Sequence, residues 1–203
     1  MTTLYYSPGT CSLSPHILLR EAGLPFELQH VELMSKELKG GGTLFSISPL
    51  GQVPVLKLDN GEILTEGPAI VQYIADQVPA AKLAPANGTL ERYKLQSWLN
   101  FITSELHKTF TPLFNPTTVE ETRKVFLDRL NNKLGHLDNH LSDKPYIMGA
   151  DFTVADAYAF TVINWTNFLK IDISQFKNIA AYVARIAARP KVQEAMKAEG
   201  LVK

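Results

Sequence analysis

The stretch TLYYSPGTCSLSPHILLREAG, residues 3–23, places a strand signal, a Pro-Gly turn and a helix signal in immediate succession. Its first five residues, TLYYS, are typical of a short strand. The helix that follows has Pro15 in its first turn and Gly23 at its end, and each of these residues suits that end of a helix. The order predicts that the chain opens with a strand and a helix of a mixed α/β domain.

The rest of the first half continues this α/β pattern. FELQHVEL (residues 26–33) predicts a second strand, and VPVLKLDNGEIL (residues 53–64) predicts a hairpin in which Asn60 and Gly61 supply the positive φ angles of a tight turn. GPAIVQYIAD (residues 67–76) predicts a closing helix. The order strand, helix, strand, hairpin, helix describes a small sheet with helices packed on it.

The pattern changes after QVPAAKLAPANG (residues 77–88), a stretch rich in Pro, Ala and Gly that is typical of a linker. Strand signals stop there, and long amphipathic helices are predicted at residues 90–108 and 118–141. The sequence therefore predicts two domains, residues 1–80 with an α/β fold and residues 87–203 as an all-α bundle.

FTVADAYAFTVINW (residues 152–165) predicts a buried helix. Thr153 is followed three residues later by Asp156, the spacing of a capping box at a helix start. The residues after it are apolar on nearly every face, and removal of such a cap costs about 1–2 kcal/mol. We interpret this segment as important for folding, not for chemistry.

Composition excludes several classes of partner. Lys and Arg total 20, and Asp and Glu total 20, so the chain has no general positive charge to bind nucleic acid or an anionic membrane. The N-terminus has no basic leader and the chain has no run of about 18 apolar residues, so we expect no membrane span and a cytoplasmic location. His and Met spacings predict no metal site.

Cys11 is the only cysteine, so the chain cannot form an internal disulfide. Cys11 and Ser14 have C-x-x-S spacing at the start of the first helix, where free amides and the helix dipole favour a thiolate. The alternative is a small buried apolar side chain. Tyr5, Tyr6 and Ser12 are close enough in sequence to act in its place, although strand packing and helix capping are their ordinary roles.

Two further segments suggest the ligand. Val53-Pro54 precedes a strand, either as a simple strand start or as a cis bond that exposes the Val53 backbone to an extended peptide. Glu66 and Gly67 precede a helix whose amides suit a carboxylate, although Glu66 alone is also an ordinary helix-end charge. A thiol partner, a peptide-like backbone and a charged end are the features of glutathione.

Five motifs in this order resemble the cytosolic glutathione S-transferases, and in particular the bacterial beta class. They are YYSPGTCSLSPHI, GQVPVL, LTEGPAIVQYIAD, SELHK and FTVADAY, and the resemblance covers essentially the whole chain. It implies a thioredoxin-like N-terminal domain of order βαβ-α-ββα, an all-helical C-terminal domain and a homodimer. It also implies glutathione as co-substrate, with no other cofactor.

The resemblance assigns roles in the N-terminal domain. Cys11 faces the glutathione sulfur, and the backbone of Val53, before a cis Pro54, pairs with the cysteinyl unit. The other implied glutathione contacts are Glu66 and Gly67 at the γ-glutamyl end, Lys36 near the glycyl carboxylate, and Gln52 beside the site. Many members carry Ser where this chain has Gly67, so a hydroxyl is lost and the backbone amide remains to bind the carboxylate.

The first long helix carries a polar seam of Asn100, Ser104 and His107. The resemblance brings this seam to the cleft, with His107 near the sulfur as the second catalytic residue after Cys11. It also implies that Glu105 meets the ammonium group of glutathione across the dimer interface. A surface histidine with no catalytic role is the alternative for His107.

Three aromatic residues are candidates for the apolar wall of a site for a hydrophobic electrophile: Phe110, Phe114 and Trp165. Aromatic residues at helical positions are equally typical of a core. The predicted activity is conjugation of the glutathione thiolate to such electrophiles. The rivals are glutathione-dependent reduction of mixed disulfides through Cys11, and a dimeric scaffold or ligand carrier without turnover.

Overall fold

Four short strands form a mixed sheet in the order β2-β1-β3-β4, seen in a computed structural model that describes residues 1–203. The strands are β1 (Thr2–Tyr6), β2 (Phe26–His30), β3 (Val55–Lys57) and β4 (Ile63–Leu64). β1 pairs in parallel with β2 and antiparallel with β3, so Leu4 lies between Leu28 and Leu56. Both predicted strands and the predicted hairpin are confirmed.

Two helices of the predicted pattern belong to this domain, of which the first contacts β1 and the second packs against the first. They are α1 (Leu13–Glu21) and α2 (Gly67–Gln77). The order βαβ-α-ββα implies a helix between β2 and β3. The structure has only a 3-10 turn there, at Leu44–Ser46, which the Thr43 hydroxyl caps. Three glycines just before it, residues 40–42, all have positive φ. Because glycine disfavours a helix and adopts positive φ at little cost, this run favours the turn that the structure has here, in which the Gly41 amide donates to Leu38 O and the Leu38 amide donates to Gly42 O.

The hairpin turn differs from the prediction. Gly61 has a φ of 88°, but the φ of Asn60 is not positive. The Gly61 amide donates to Leu58 O and the Leu58 amide donates to Glu62 O, which defines a turn followed by a single left-handed glycine. The assignment of positive φ to Asn60 was therefore wrong, because a three-residue loop needs the left-handed conformation only at its last position.

The chain divides into two compact units, one formed by residues 1–84 with 188–203 and the other by residues 85–187. The last helix, α9 (Pro190–Ala198), packs against α1 and therefore belongs to the first unit. Arg189 fixes its start through two hydrogen bonds to Glu21, at 2.7 and 2.9 Å. The sequence pattern does not separate α9 from the rest of residues 87–203, because an amphipathic helix reveals a buried face but not its partner.

The second unit is helical, as predicted. Its helices are α3 (Leu90–Phe101), α4 (Lys108–Phe114), α5 (Glu120–His140), α6 (Val154–Ile163), α7 (Trp165–Leu169) and α8 (Lys177–Ala187). The long helix predicted at residues 90–108 is interrupted by a π-helical segment, Ile102–His107. No helix of the chain is long and apolar enough to cross a membrane.

Helix α6 forms the core of the helical unit, and all of its residues are buried. The predicted capping box at its start is present. Asp156 accepts hydrogen bonds from the Thr153 amide at 2.7 Å and from the Thr153 hydroxyl at 2.9 Å. Its other oxygen accepts from the Ile147 amide and the Tyr182 hydroxyl, at 2.8 and 3.0 Å. The carboxylate thus joins the helix start to two other segments.

Candidate functional site

Cys11 lies in the loop between β1 and α1 and is half-buried. Its thiol donates to the backbone carbonyl of Val53 at 3.3 Å, although 42 residues separate the two positions. The Val53–Pro54 bond is cis, as the resemblance implied. The structure therefore brings together the only thiol and the backbone that the sequence assigned to peptide pairing.

Ser12 does not have the helix-capping role that its position suggested. Its side chain makes no cap bond to α1 and instead donates to Ser7 O at 3.1 Å and contacts the Thr10 hydroxyl at 2.8 Å. Ser12 has no exposed surface, and Tyr5 packs in the apolar core of the sheet. Ser12 therefore stabilises the loop and Tyr5 stabilises the sheet. Cys11 remains the candidate reactive side chain of this loop.

A buried network that the sequence did not reveal fixes the same loop. Glu199, at the end of α9, accepts from the Gly9 amide at 2.9 Å and contacts His16 Nδ1 at 2.7 Å. Arg20 Nε donates to His16 Nε2 at 2.9 Å. Because an arginine nitrogen can only donate, His16 carries its proton on Nδ1 and donates it to Glu199. Nothing in the spacing of His16 and Glu199, 183 residues apart, could have signalled this contact.

Glu66 caps the N-terminus of α2 with φ 66° and ψ 114°, an unusual conformation for a residue with a side chain. Its carbonyl accepts from the Ala69 and Ile70 amides, and its side chain is exposed. Pro68 follows at the second helical position and has no amide proton. The Gly67 amide is therefore the first donor of this helix N-terminus, where the dipole also favours a carboxylate.

The other two predicted glutathione contacts of this unit lie in connecting segments. Gln52 is exposed directly before Val53, and Lys36 is half-buried with a left-handed φ of 64°. The Lys36 carbonyl accepts from the Leu44 amide at 2.8 Å, which holds its backbone in place. That Lys36, Gln52 and Glu66 form one binding site with Cys11 stays a prediction.

In the helical unit, His107 is the last residue of the π-helical segment. Its Nδ1 lies 2.7 Å from the Tyr158 hydroxyl, and its ring meets Trp165 edge to face with centroids 4.7 Å apart. Burial chiefly, with a contribution from the positive charge of Lys108, lowers the pKa of His107 to about 4. His107 is therefore neutral near pH 7 and acts as a hydrogen-bonding group, not as a cation.

The remaining polar seam is on the surface of the helical unit. Asn100 and Ser104 are exposed, and the Ser104 hydroxyl donates to Asn100 O at 2.9 Å. The Glu105 carboxylate accepts from Lys133 Nζ at 2.6 Å, an ion pair on a half-exposed surface. Any contact of Glu105 with an ammonium group of glutathione would have to compete with Lys133.

The three aromatic candidates differ in exposure. Phe110 has no exposed surface and Trp165 is only 6% exposed, whereas Phe114 is 46% exposed. The three rings pack together edge to face or tilted, with centroid distances of 5.6–6.4 Å. Phe114 is therefore the ring of this cluster that can present a face to a ligand, while Phe110 supports it from the core.

Comparison with known proteins agrees with these features. The family model for the N-terminal domain of glutathione S-transferases matches residues 9–77, and the model for the C-terminal domain matches residues 101–190. The chain is 48% identical to glutathione S-transferase GstA of Escherichia coli O157:H7, over 98% of each chain.

Two solved structures are similarly close. A bacterial beta class glutathione S-transferase of Sphingomonas chungbukensis shares 49% identity with a TM-score of 0.95, over 98% of this chain and all of the other. A sphingomonad glutathione S-transferase complexed with glutathione shares 46% identity with a TM-score of 0.95 and the same coverage. On these matches and on the Cys11 and Val53 geometry, the chain belongs to the glutathione S-transferase family.

Proposed function

We propose that this transferase binds glutathione in its N-terminal unit and conjugates the glutathione sulfur to hydrophobic electrophiles. The observation that carries the proposal is the 3.3 Å contact between the Cys11 sulfur and Val53 O, beside the cis Pro54. A peptide that pairs with the Val53 backbone would bring its own thiol next to Cys11. The relative with glutathione in its solved structure supports the same ligand.

The charged ends of the tripeptide would be held by separate groups. The γ-glutamyl carboxylate would lie at the N-terminus of α2 on the Gly67 amide, and its ammonium group would pair with Glu66. Lys36 would pair with the glycyl carboxylate, and Gln52 would contact the backbone beside Val53. Each end then has a partner of opposite charge or polarity.

The reaction needs a thiolate, because the thiolate and not the thiol is the nucleophile. The glutathione thiol would release its proton to solvent, and the sulfur would then form a bond to the electrophilic carbon while the leaving group departs with its bonding electrons. His107, neutral near pH 7, would stabilise the thiolate by hydrogen bonding. Asn100 and Ser104 would orient the tripeptide, and Phe114 would contact the apolar co-substrate.

The two rival functions are not favoured by the relatives, which are named as transferases. Attack of the Cys11 thiolate on the disulfide of oxidised glutathione would nevertheless form a mixed disulfide and release one glutathione as a thiolate, and Cys11 is the only residue of the chain that could react in this way. We propose it as a side reaction.

Binding to immobilised glutathione, followed by an assay with an aryl halide electrophile, tests the proposed function. We expect retention on the matrix, elution by free glutathione, and release of halide in proportion to the conjugate formed. Retention without turnover would favour a ligand carrier. Failure to bind glutathione would contradict the proposal altogether.

A further inference from the structure

The helix that carries His107 departs from α-helical geometry at the residues that the site needs. The segment Ile102–His107 is π-helical, and π-helical turns are rare and frequent at functional sites. Three hydroxyls around it donate to carbonyls four residues earlier: Thr103 to Leu99, Ser104 to Asn100, and Thr109 to Glu105. Side chains that bond in this way compete with backbone amides and distort a helix.

The His107 ring is held from the core side of this segment. Tyr158, on α6, is 2% exposed and contacts Nδ1 at 2.7 Å, and the His107 and Trp165 rings meet edge to face. Both neighbours are buried, so they fix the orientation of the imidazole. The other ring nitrogen, Nε2, makes no hydrogen bond within the chain.

A neutral imidazole carries one proton, and the hydrogen bond at one nitrogen decides which nitrogen holds it. Burial keeps His107 neutral at pH 7, since its pKa is lowered to about 4. The partner of Nδ1 therefore decides whether Nε2 donates or accepts. A donating Nε2–H would stabilise a thiolate, whereas a bare Nε2 would take a proton from a thiol.

We propose that Tyr158 is a positioning residue whose hydroxyl donates to Nδ1 of His107, so that the imidazole proton lies on Nε2 and is presented to the glutathione thiolate. This inference rests on the role in catalysis proposed for His107. A phenol is a good donor, whereas its oxygen is a weak acceptor because it is conjugated with the ring. The 2.7 Å distance is that of a strong hydrogen bond.

Thr103 carries a second hydroxyl close to that of Tyr158. Its oxygen lies 3.5 Å from the Tyr158 hydroxyl, but it also lies 2.9 Å from Leu99 O. One hydroxyl has one proton, and the shorter contact takes it. With its proton on Leu99 O, Thr103 could only accept from the Tyr158 hydroxyl, at 3.5 Å, and His107 Nδ1 at 2.7 Å is the closer acceptor for the Tyr158 proton.

Nitrogen NMR of the imidazole rings tests the assignment directly. The chain has 5 histidines, and the His107 signals are identified by their loss in His107→Gln. In the wild-type protein at pH 7 we expect Nδ1 to show the shift of an unprotonated nitrogen and Nε2 that of a protonated one. The reverse pattern would overturn the proposal, and this measurement needs no variant of Tyr158.

Tyr158→Phe tests the consequence for catalysis. Loss of one neutral hydrogen bond predicts a mixture of tautomers and a fall in kcat of roughly 3- to 10-fold. The KM for glutathione should change little, because Tyr158 is not expected to touch the tripeptide. Tyr182→Phe is the matched control, since Tyr182 is also buried in this unit but bonds to Asp156, and it should leave the His107 signals and kcat unchanged.

The two readouts separate this inference from the proposed function. Unchanged nitrogen shifts in Tyr158→Phe would overturn the role of Tyr158, whatever the activity. Altered shifts with unchanged kcat would support the inference that Tyr158 determines the His107 tautomer. They would contradict the proposed role of His107 in catalysis. Altered shifts together with a reduced kcat support both.

Discussion

In the proposed complex, the Cys11 thiol and the bound tripeptide would compete for one backbone oxygen, that of Val53. The Cys11 thiol donates to Val53 O at 3.3 Å, and the cysteinyl amide of glutathione is expected to donate to that oxygen as well. Binding would then release the Cys11 thiol toward the incoming sulfur. Replacement of the Cys11 sulfur by oxygen would therefore separate the proposed role of Cys11 in conjugation from its proposed role in disulfide chemistry.

Cys11→Ser should abolish the mixed disulfide with glutathione, because no other thiol exists in the chain. Conjugation should keep a substantial fraction of its rate, since the nucleophile is the glutathione sulfur and a hydroxyl introduced at position 11 can still donate to it. Ser12 cannot help, because it is fully buried and bonded to Ser7 and Thr10. Mass spectrometry of the adduct and a conjugation assay measure the two activities.

Equal loss of both activities in Cys11→Ser, with glutathione affinity intact, would mean that Cys11 acts directly in conjugation. That result would contradict the proposed division of roles. An adduct that persists in the variant would show that the disulfide assignment itself is wrong.

Glu66 is exposed and makes no side-chain hydrogen bond at the start of α2. Glu66→Gln should weaken glutathione binding by about 1–3 kcal/mol, the usual cost of removing one partner of a charged hydrogen bond. Thermal stability should barely change. Calorimetric titration of glutathione measures the effect, with Glu62→Gln as a control that makes the same charge change on the neighbouring hairpin. Equal affinities for the two variants would leave Glu66 as a helix-end charge only.

Among the helices, α6 begins with a short capping motif that also connects the helix to other segments of the chain. The capping box was predicted from Thr153 and Asp156, and it is present. The same carboxylate also accepts from the Ile147 amide and the Tyr182 hydroxyl, which the motif did not indicate. Removal of Asp156 would leave several buried donors without an acceptor.

Asp156→Ala should therefore cost more than an ordinary helix cap. We expect a loss of about 3–5 kcal/mol in the free energy of unfolding, since each unsatisfied buried group costs about 1–3 kcal/mol. Urea denaturation measures it. Asp151→Ala is the control, because Asp151 is exposed in the same loop and should change stability by less than about 0.5 kcal/mol. A loss of only about 1 kcal/mol or less for Asp156→Ala, a value typical of a cap alone, would show that the two extra bonds contribute little.

At the scale of the whole molecule, we propose that two copies of the chain associate, as the family resemblance implies. Several apolar side chains of the N-terminal unit are exposed, among them Leu33, Met34, Phe45 and Leu50, at 44–91%. A second copy that covers such residues would remove apolar surface from water. Light scattering at micromolar concentration should give twice the mass of the chain, and a monomeric mass would contradict the proposal.

The strands, the hairpin, the cap of α6 and the family could be predicted from the sequence, because each depends on residues close together in the chain or on motifs in a fixed order. Residues 3–23 predicted the first strand and helix, and both are present. The lone Cys11 and the Val53-Pro54 pair were recognised from local context alone. Where a prediction failed locally, as at Asn60, the loop length and not the residue type decided the conformation.

The sequence did not indicate which distant groups meet in the folded chain. The contacts of Cys11 with Val53 O, of His16 with Glu199, and of His107 with Tyr158 join residues 42, 183 and 51 positions apart. The packing of α9 on α1 and the π-helical segment that ends at His107 were likewise not indicated by the sequence. Amphipathic patterns indicate that a face is buried but carry no information about what buries it. Partner choice depends on packing and on the pairing of buried polar groups, which exist only in the folded chain.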